Sequence, residues 1–171
     1  GERDEAGARR SFDKALEKNP AYFPAAANLA RLDVGAKKPD EARKRFESVV
    51  AKDPKNTQAL LALAEMQARS GARTEDVAAA INKAVAANPL DVVSRLTLIN
   101  HYLASKDATK ALAAAQDALA ALPNDLTLID AEGRAQQASG NHNQALISYG
   151  KLATLLPHSV QPYLRMAEIN L

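Results

Sequence analysis

Five prolines constrain this chain more than any other feature. Pro20, Pro54, Pro89, Pro123 and Pro157 follow one another at intervals of 34, 35, 34 and 34 residues. Proline has no N–H to donate and its ring clashes with the preceding turn, so none of the five fits a helix interior. They cut the chain into equal pieces, each about long enough for two helices and a turn. Self-similarity at such a fixed period marks a repeat array. The company of each proline recurs too: Asn19-Pro20, Asp53-Pro54-Lys55-Asn56, Asn88-Pro89-Leu90-Asp91, Leu122-Pro123-Asn124-Asp125 and Leu156-Pro157-His158-Ser159.

Each piece reads as two amphipathic helices. In the first complete one, Ala26, Leu29, Ala30 and Leu32 recur at helical spacing, Gly35 to Pro39 interrupt them, and Ala42, Phe46, Val49 and Val50 form a second stripe. Pro39 suits a first helical turn, where its missing N–H costs nothing. The next pieces carry Leu60, Leu63 and Ala64 before Val77, Ile81 and Ala84; Leu96, Leu98, Ile99 and Tyr102 before Ala111, Ala115 and Ala118; and Leu126, Ile129, Gly133 and Gln136 before Ala145, Tyr149 and Leu152. Asn56, Asp91, Asp125 and Ser159 each stand two residues after a proline, and we expect all four to cap helices. Tyr22 holds the equivalent place at the first helix and caps poorly. Thr74 is the expected cap after the longer break at Ser70-Gly71-Ala72-Arg73, with Glu75 and Asp76 at the positive end of the helix dipole.

The ends read as half units. Ala8, Phe12 and Ala15 match a second helix, and Tyr163, Met166 and Ala167 match a first. The expected organisation is one array over 1–171: a half repeat at 4–21, repeats at 22–55, 56–90, 91–124 and 125–158, and a half repeat at 159–171. That makes ten helices. The chain starts and stops inside repeats, so we expect it to be a piece of a longer protein. Half repeats at both ends also raise the alternative of a structural spacer that self-associates end to end through the Phe12 and Tyr163 faces, since repeat arrays need caps.

Composition removes several function classes. Aromatic residues are only 4% and Trp is absent, which disfavours a β-sandwich and leaves little for stacking on nucleic-acid bases. A net charge of +2 gives no strong field toward nucleic acid or an anionic membrane. No cysteine means no disulfide, thiolate zinc site or cysteine nucleophile. His101, His142 and His158 match no paired-ligand spacing. Asp130 and Glu132 lie two apart on a helix and so face different ways, which argues against a shared acid–base pair. We expect no enzyme, cofactor, metal, small-molecule substrate or nucleic-acid partner. No apolar run is long enough to span a bilayer, and no signal peptide is visible.

Small, aromatic, small and proline residues at matching offsets occur in Ala42/Phe46/Val49/Pro54, in Ala145/Tyr149/Leu152/Pro157 and partly in Ala8/Phe12/Ala15/Pro20. With the 34-residue period they resemble the tetratricopeptide repeat. The resemblance implies an all-α, right-handed superhelical solenoid: four helix-turn-helix repeats flanked by half repeats, first helices lining a concave groove that holds peptides or helices of protein partners. The family's tryptophan place is taken by Ala26, Leu60, Arg95 and Ile129. Its small close-contact place is taken by Ala30, Ala64, Ile99 and Gly133. Ile99 is bulky there, so we expect wider helix spacing in its repeat. Glu132 falls where leucine is usual, and a core-facing carboxylate must be paired or reach water.

The same resemblance selects the inward side chains. From the second, fifth, ninth and twelfth positions of the first helices we take Arg31, Gln58, Leu61, Glu65, Val93, Leu96, Asn100, Leu103, Asp130 and Arg134 as the candidate partner-binding set. The middle, with Leu61, Val93, Leu96 and Leu103, is apolar, and either receives a peptide or packs against its own neighbours. The family's clamp for a C-terminal carboxylate is not expected, because Asn28, Arg31, Asn100 and Arg134 form the wrong combination. Finally, the runs at 27–33, 60–65 and 110–119 resemble a family of repeat lipoproteins from the bacterial PEP-CTERM/exosortase sorting system. That resemblance implies an extracytoplasmic, lipid-anchored protein encoded beside exopolysaccharide and sorting machinery; without it we expect a cytoplasmic one.

Overall fold

A computed structural model describes residues 2–169, so residues 1, 170 and 171, the last two within the expected terminal half repeat, lie outside the described residues. Ten helices run in order: α1 (Glu2–Lys18), α2 (Phe23–Gly35), α3 (Pro39–Lys52), α4 (Thr57–Arg69), α5 (Thr74–Ala87), α6 (Val92–Ala104), α7 (Ala108–Ala121), α8 (Leu126–Ala138), α9 (His142–Leu155) and α10 (Gln161–Ile169). Among the described residues there is no strand. All five periodic prolines fall between helices, and Pro39 opens α3 as expected. The chain divides into two compact units, 1–88 and 89–171.

The turns inside repeats are four copies of one motif. Lys37, Gly71, Lys106 and Gly140 share a register position, and all have φ between 60° and 80°. The next residue's N–H reaches back to close each helix: Lys38 to Asp33, Ala72 to Gln67, Asp107 to Tyr102 and Asn141 to Gln136, at 2.8–3.1 Å. This left-handed cap favours glycine, because a Cβ crowds the following carbonyl. Lysine fills it twice.

Between repeats, Asn56, Asp91 and Asp125 cap as expected, each accepting from the N–H three residues on, at 3.0–3.1 Å. Ser159 does not. The residue three on is Pro162, which has no N–H, so Ser159 Oγ accepts from Gln161 at 3.3 Å and α10 starts later. Thr74 is also corrected. It is the first helical residue of α5 and Arg73 is the cap. There Arg73 donates through two nitrogens to Asp76, at 2.8 and 2.9 Å, which holds the first turn in place of a hydroxyl. Tyr22 gives no side-chain cap, in line with its sequence.

The core follows a rule of complementary volumes. The small-residue position of a first helix meets the aromatic position of its second helix in three repeats: Ala30 with Phe46, Ile99 with Ala115, and Gly133 with Tyr149; in the other, Ala64 and Ile81 are both buried. Ile99 is fully buried among Ala111, Ala115 and Ala118, so the alanines absorb its bulk and remove the reason to expect wider spacing. At Gly133 the fit is absolute. A Cβ there would lie 2.4 Å from the Tyr149 ring, and Tyr149 itself is 0% exposed. Arg95 occupies the family's tryptophan place with its charge satisfied, donating to the Pro89 carbonyl at 2.6 Å and to Asp117 at 2.7 Å.

A buried carboxylate ties three helices of 1–88 together. Asp33 on α2, 4% exposed, receives Arg9 of α1 at 2.6 Å and Arg45 of α3 at 3.2 Å. Arg45 also reaches Asp13 at 3.5 Å. Two guanidiniums on one carboxylate offset its desolvation, which an unpaired charge could not survive.

Candidate functional site

The first helices carry the candidate residues, and the two units use them differently. In 1–88 a cavity of about 550 Å³ is bounded by α2, the start of α3 and α4. Arg31 and Glu65, both ninth residues of their helices, line it. Ala27, Ala30, Val34, Phe46, Ala62 and Met66 supply apolar walls, and Asp40, Arg43 and Arg69 add charge. Glu65 is held one turn along its own helix by Arg69 at 2.6 Å. Arg31 and Arg43 have no hydrogen bond or ion pair among the described residues. Gln58 is exposed and Leu61 half-buried, and neither lines this cavity.

In 89–171 the corresponding side chains bond to one another. Arg134 Nη2 donates to Asn100 Oδ1 at 2.9 Å, joining the ninth positions of α6 and α8. Its Nε lies 3.1 Å from Asp130 Oδ2, near but without hydrogen-bond alignment. Asp130 also takes Arg165 of α10 at 3.2 Å, and Arg165 stands 3.6 Å from Glu168. The candidates Asn100, Asp130 and Arg134 are thus brought together as a ladder. Leu96 and Leu103 are half-buried against the alanine core of α6, α7 and α8. Val93 is 60% exposed and stands apart from that core.

Behind the ladder lies a polar cluster that sequence reasoning only touched. Ser148 Oγ is 2.9 Å from both Glu132 Oε2 and Gln136 Oε1, which accounts for the carboxylate at a leucine place. One hydroxyl proton serves one acceptor at a time. Burial, with a smaller contribution from nearby Asp130, pushes the Tyr149 phenol up to about 12. Among the described residues no group of three or more His, Cys, Asp or Glu could hold a metal ion. No helix among them is long and apolar enough to cross a membrane. Sequence reasoning missed Arg43 and Phe46 as cavity residues because both lie on a second helix, outside the positions that were searched.

Paired helices at a 34-residue period, with first-helix side chains bounding a cleft, define a helical-repeat solenoid. A family model described as tetratricopeptide repeat matches residues 1–66. No curated protein matches the chain. Among solved structures, a tetratricopeptide repeat protein from Parabacteroides merdae is 18% identical, with a TM-score of 0.67, covering 97% of this chain and 67% of that one. TTC0263, a thermophilic repeat protein of Thermus thermophilus, is 22% identical, with a TM-score of 0.64, covering 94% and 88%. YrrB, described as having an unusual peptide-binding site, is 16% identical, with a TM-score of 0.62, covering 92% and 81%. The chain has the tetratricopeptide-repeat fold, and residues 1–66 carry the match to that family's model.

Proposed function

We propose that this protein is a non-catalytic interaction scaffold that holds a peptide or helix of a partner protein against its first helices. The carrying observation is the cleft of about 550 Å³ in 1–88, with Arg31 and Glu65 of α2 and α4 on its walls. An apolar floor with a few charged groups at the rim suits a peptide segment. That a protein of this fold, YrrB, is described with a peptide-binding site lends support by analogy. Panning a random peptide library against the chain is expected to enrich sequences whose binding is lost in Val34→Trp, which fills the cleft. Hydrogen exchange in their presence should protect α2 and α4. Enrichment only of peptides indifferent to Val34→Trp, with protection on α5 instead, would sink the reading.

The sequence runs at 27–33, 60–65 and 110–119 support a placement outside the cytoplasm, in a lipid-anchored protein of a bacterial sorting and exopolysaccharide system. The full-length reading frame tests this: a lipobox upstream and sorting genes nearby are expected, and their absence removes it. A second reading, end-to-end self-association, rests on Val160, Tyr163 and Leu164, which are 54–71% exposed in and before α10. Light scattering at rising concentration decides it, since a constant monomer mass is incompatible with that reading.

A further inference from the structure

The cleft of 1–88 has a definite charge preference. Two guanidiniums, Arg31 from α2 and Arg43 from α3, line it without a hydrogen-bond or salt-bridge partner among the described residues. The third, Arg69, is occupied by Glu65 at 2.6 Å. Asp40 is the one carboxylate of the lining outside an ion pair. Setting the Arg69–Glu65 pair aside, the cleft holds two available cations against one anion, beside a floor formed by Phe46 and Met66. Arg31 is exposed and Arg43 half-buried, so both reach solvent at the rim, and a guanidinium not already paired binds a carboxylate well because its planar fork takes both oxygens at once.

Resting on the scaffold reading above, we propose that the partner segment is acidic and apolar by turns: a side-chain carboxylate lies between Arg31 and Arg43 while a neighbouring aliphatic or aromatic side chain packs on Phe46 and Met66. The carboxylate belongs to a side chain. The lining contains neither asparagine nor lysine, so it lacks the family's terminal-carboxylate clamp, and a terminal carboxylate is kept as a separate arm of the test. Asp40 opposes the ligand, so its removal strengthens binding. High salt weakens it, because the rim is open to solvent.

The test uses the whole chain and fluorescein-labelled peptides of about ten residues, acetylated and amidated so that no terminal charge remains, read by anisotropy. An Asp-Leu repeat is compared with Asn-Leu and Lys-Leu repeats, and with an Asn-Leu peptide ending in a free carboxylate. The Asp-Leu peptide is expected to bind best. Arg31→Ala and Arg43→Ala should each weaken it about tenfold, as loss of one charge-assisted hydrogen bond does. Asp40→Ala should tighten it a fewfold, and Val34→Trp should abolish it, with circular dichroism unchanged in every variant. If Lys-Leu or Asn-Leu binds as well or better and Val34→Trp still blocks it, the cleft remains the partner site and the acidic assignment is overturned. If only the free-carboxylate peptide binds, the side-chain assignment is overturned. If no peptide binds, the acidic assignment is overturned while the library panning decides the scaffold reading by itself; if peptides bind and Val34→Trp changes nothing, the cleft is not the site and both fall.

Discussion

Residues 1–88 and 89–171 are written in the same repeat, yet equivalent positions end in opposite conditions. In 89–171 the ninth residues of α6 and α8, Asn100 and Arg134, bond at 2.9 Å, and those two helices pack directly on each other. In 1–88 the ninth residues of α2 and α4, Arg31 and Glu65, have opposite charges and no bond, and a cleft lies between their helices. The ninth residue of α4 finds its partner within its own helix. Glu65 has Arg69 four residues on, and such a pair forms without any tertiary distance to satisfy. The thirteenth residues of α6 and α8 are Ala104 and Ala138; in α8 Arg134 has Asp130 one turn back at 3.1 Å and reaches Asn100 of α6 as well. With Glu65 paired to Arg69, Arg31 has no ion-pair partner among the described residues.

The interiors differ in the same sense. Tyr149 is sealed at 0% exposure against the bare backbone of Gly133, whereas Phe46, facing Ala30, lines an open cleft. Tyr149→Ala should therefore cost about 4 kcal/mol and Phe46→Ala about 3, measured by urea denaturation. Equal losses would remove the distinction between a sealed and an open interior.

Gly133→Ala forces its Cβ into the Tyr149 ring and should cost about 2 kcal/mol despite alanine's better helix propensity. Its counterpart Ala30→Gly should cost about 1 kcal/mol through propensity alone. Combining Gly133→Ala with Tyr149→Leu should recover part of the sum, since contacting residues couple. Strict additivity would show that the two do not form a packing unit.

A third set of variants tests the turns, which the units share. Lys37→Gly and Lys106→Gly should each stabilise by about 1 kcal/mol, by relieving a left-handed backbone at a non-glycine residue. Gly140→Ala should lose about as much. The ladder is weaker: Asp130→Ala should cost about 1 kcal/mol in dilute buffer and less in strong salt, while Arg31→Ala should stay within about 0.5 kcal/mol and act only on binding. A large stability loss at Arg31 would mean that this guanidinium is structural.

The smallest effect at neutral pH is that of Tyr149→Phe, which removes only a 3.5 Å contact to Gln137. Its signature is alkaline. The folded phenol ionises near pH 12 and the unfolded one near its ordinary 10.0, so stability is intact below pH 10 and is lost as pH rises toward 12. Alkaline titration of phenolate absorbance should lose its latest step in Tyr149→Phe, and unfolding between these pH values should ease. An unchanged profile would mean that the buried phenol is not Tyr149.

Much of this protein is fixed by local chemistry and was legible in the residue order. Prolines stop helices wherever they occur, and Asn56, Asp91 and Asp125 cap from within three residues, so the number, length and pairing of helices need no distant information. Even Ser159 could have been read correctly, because the obstacle, Pro162, lies three residues away. Tertiary contact decided the rest. Nothing near Asp33 in the sequence announces Arg9, 24 residues off, and nothing near Glu132 announces Ser148. The Glu65–Arg69 pair was legible as an i,i+4 contact, but that α2, α3 and α4 leave a cleft with Arg31 and Arg43 on its walls is decided by how the helices pack. Period and caps are short-range; a cleft wall is assembled from side chains brought together from three helices.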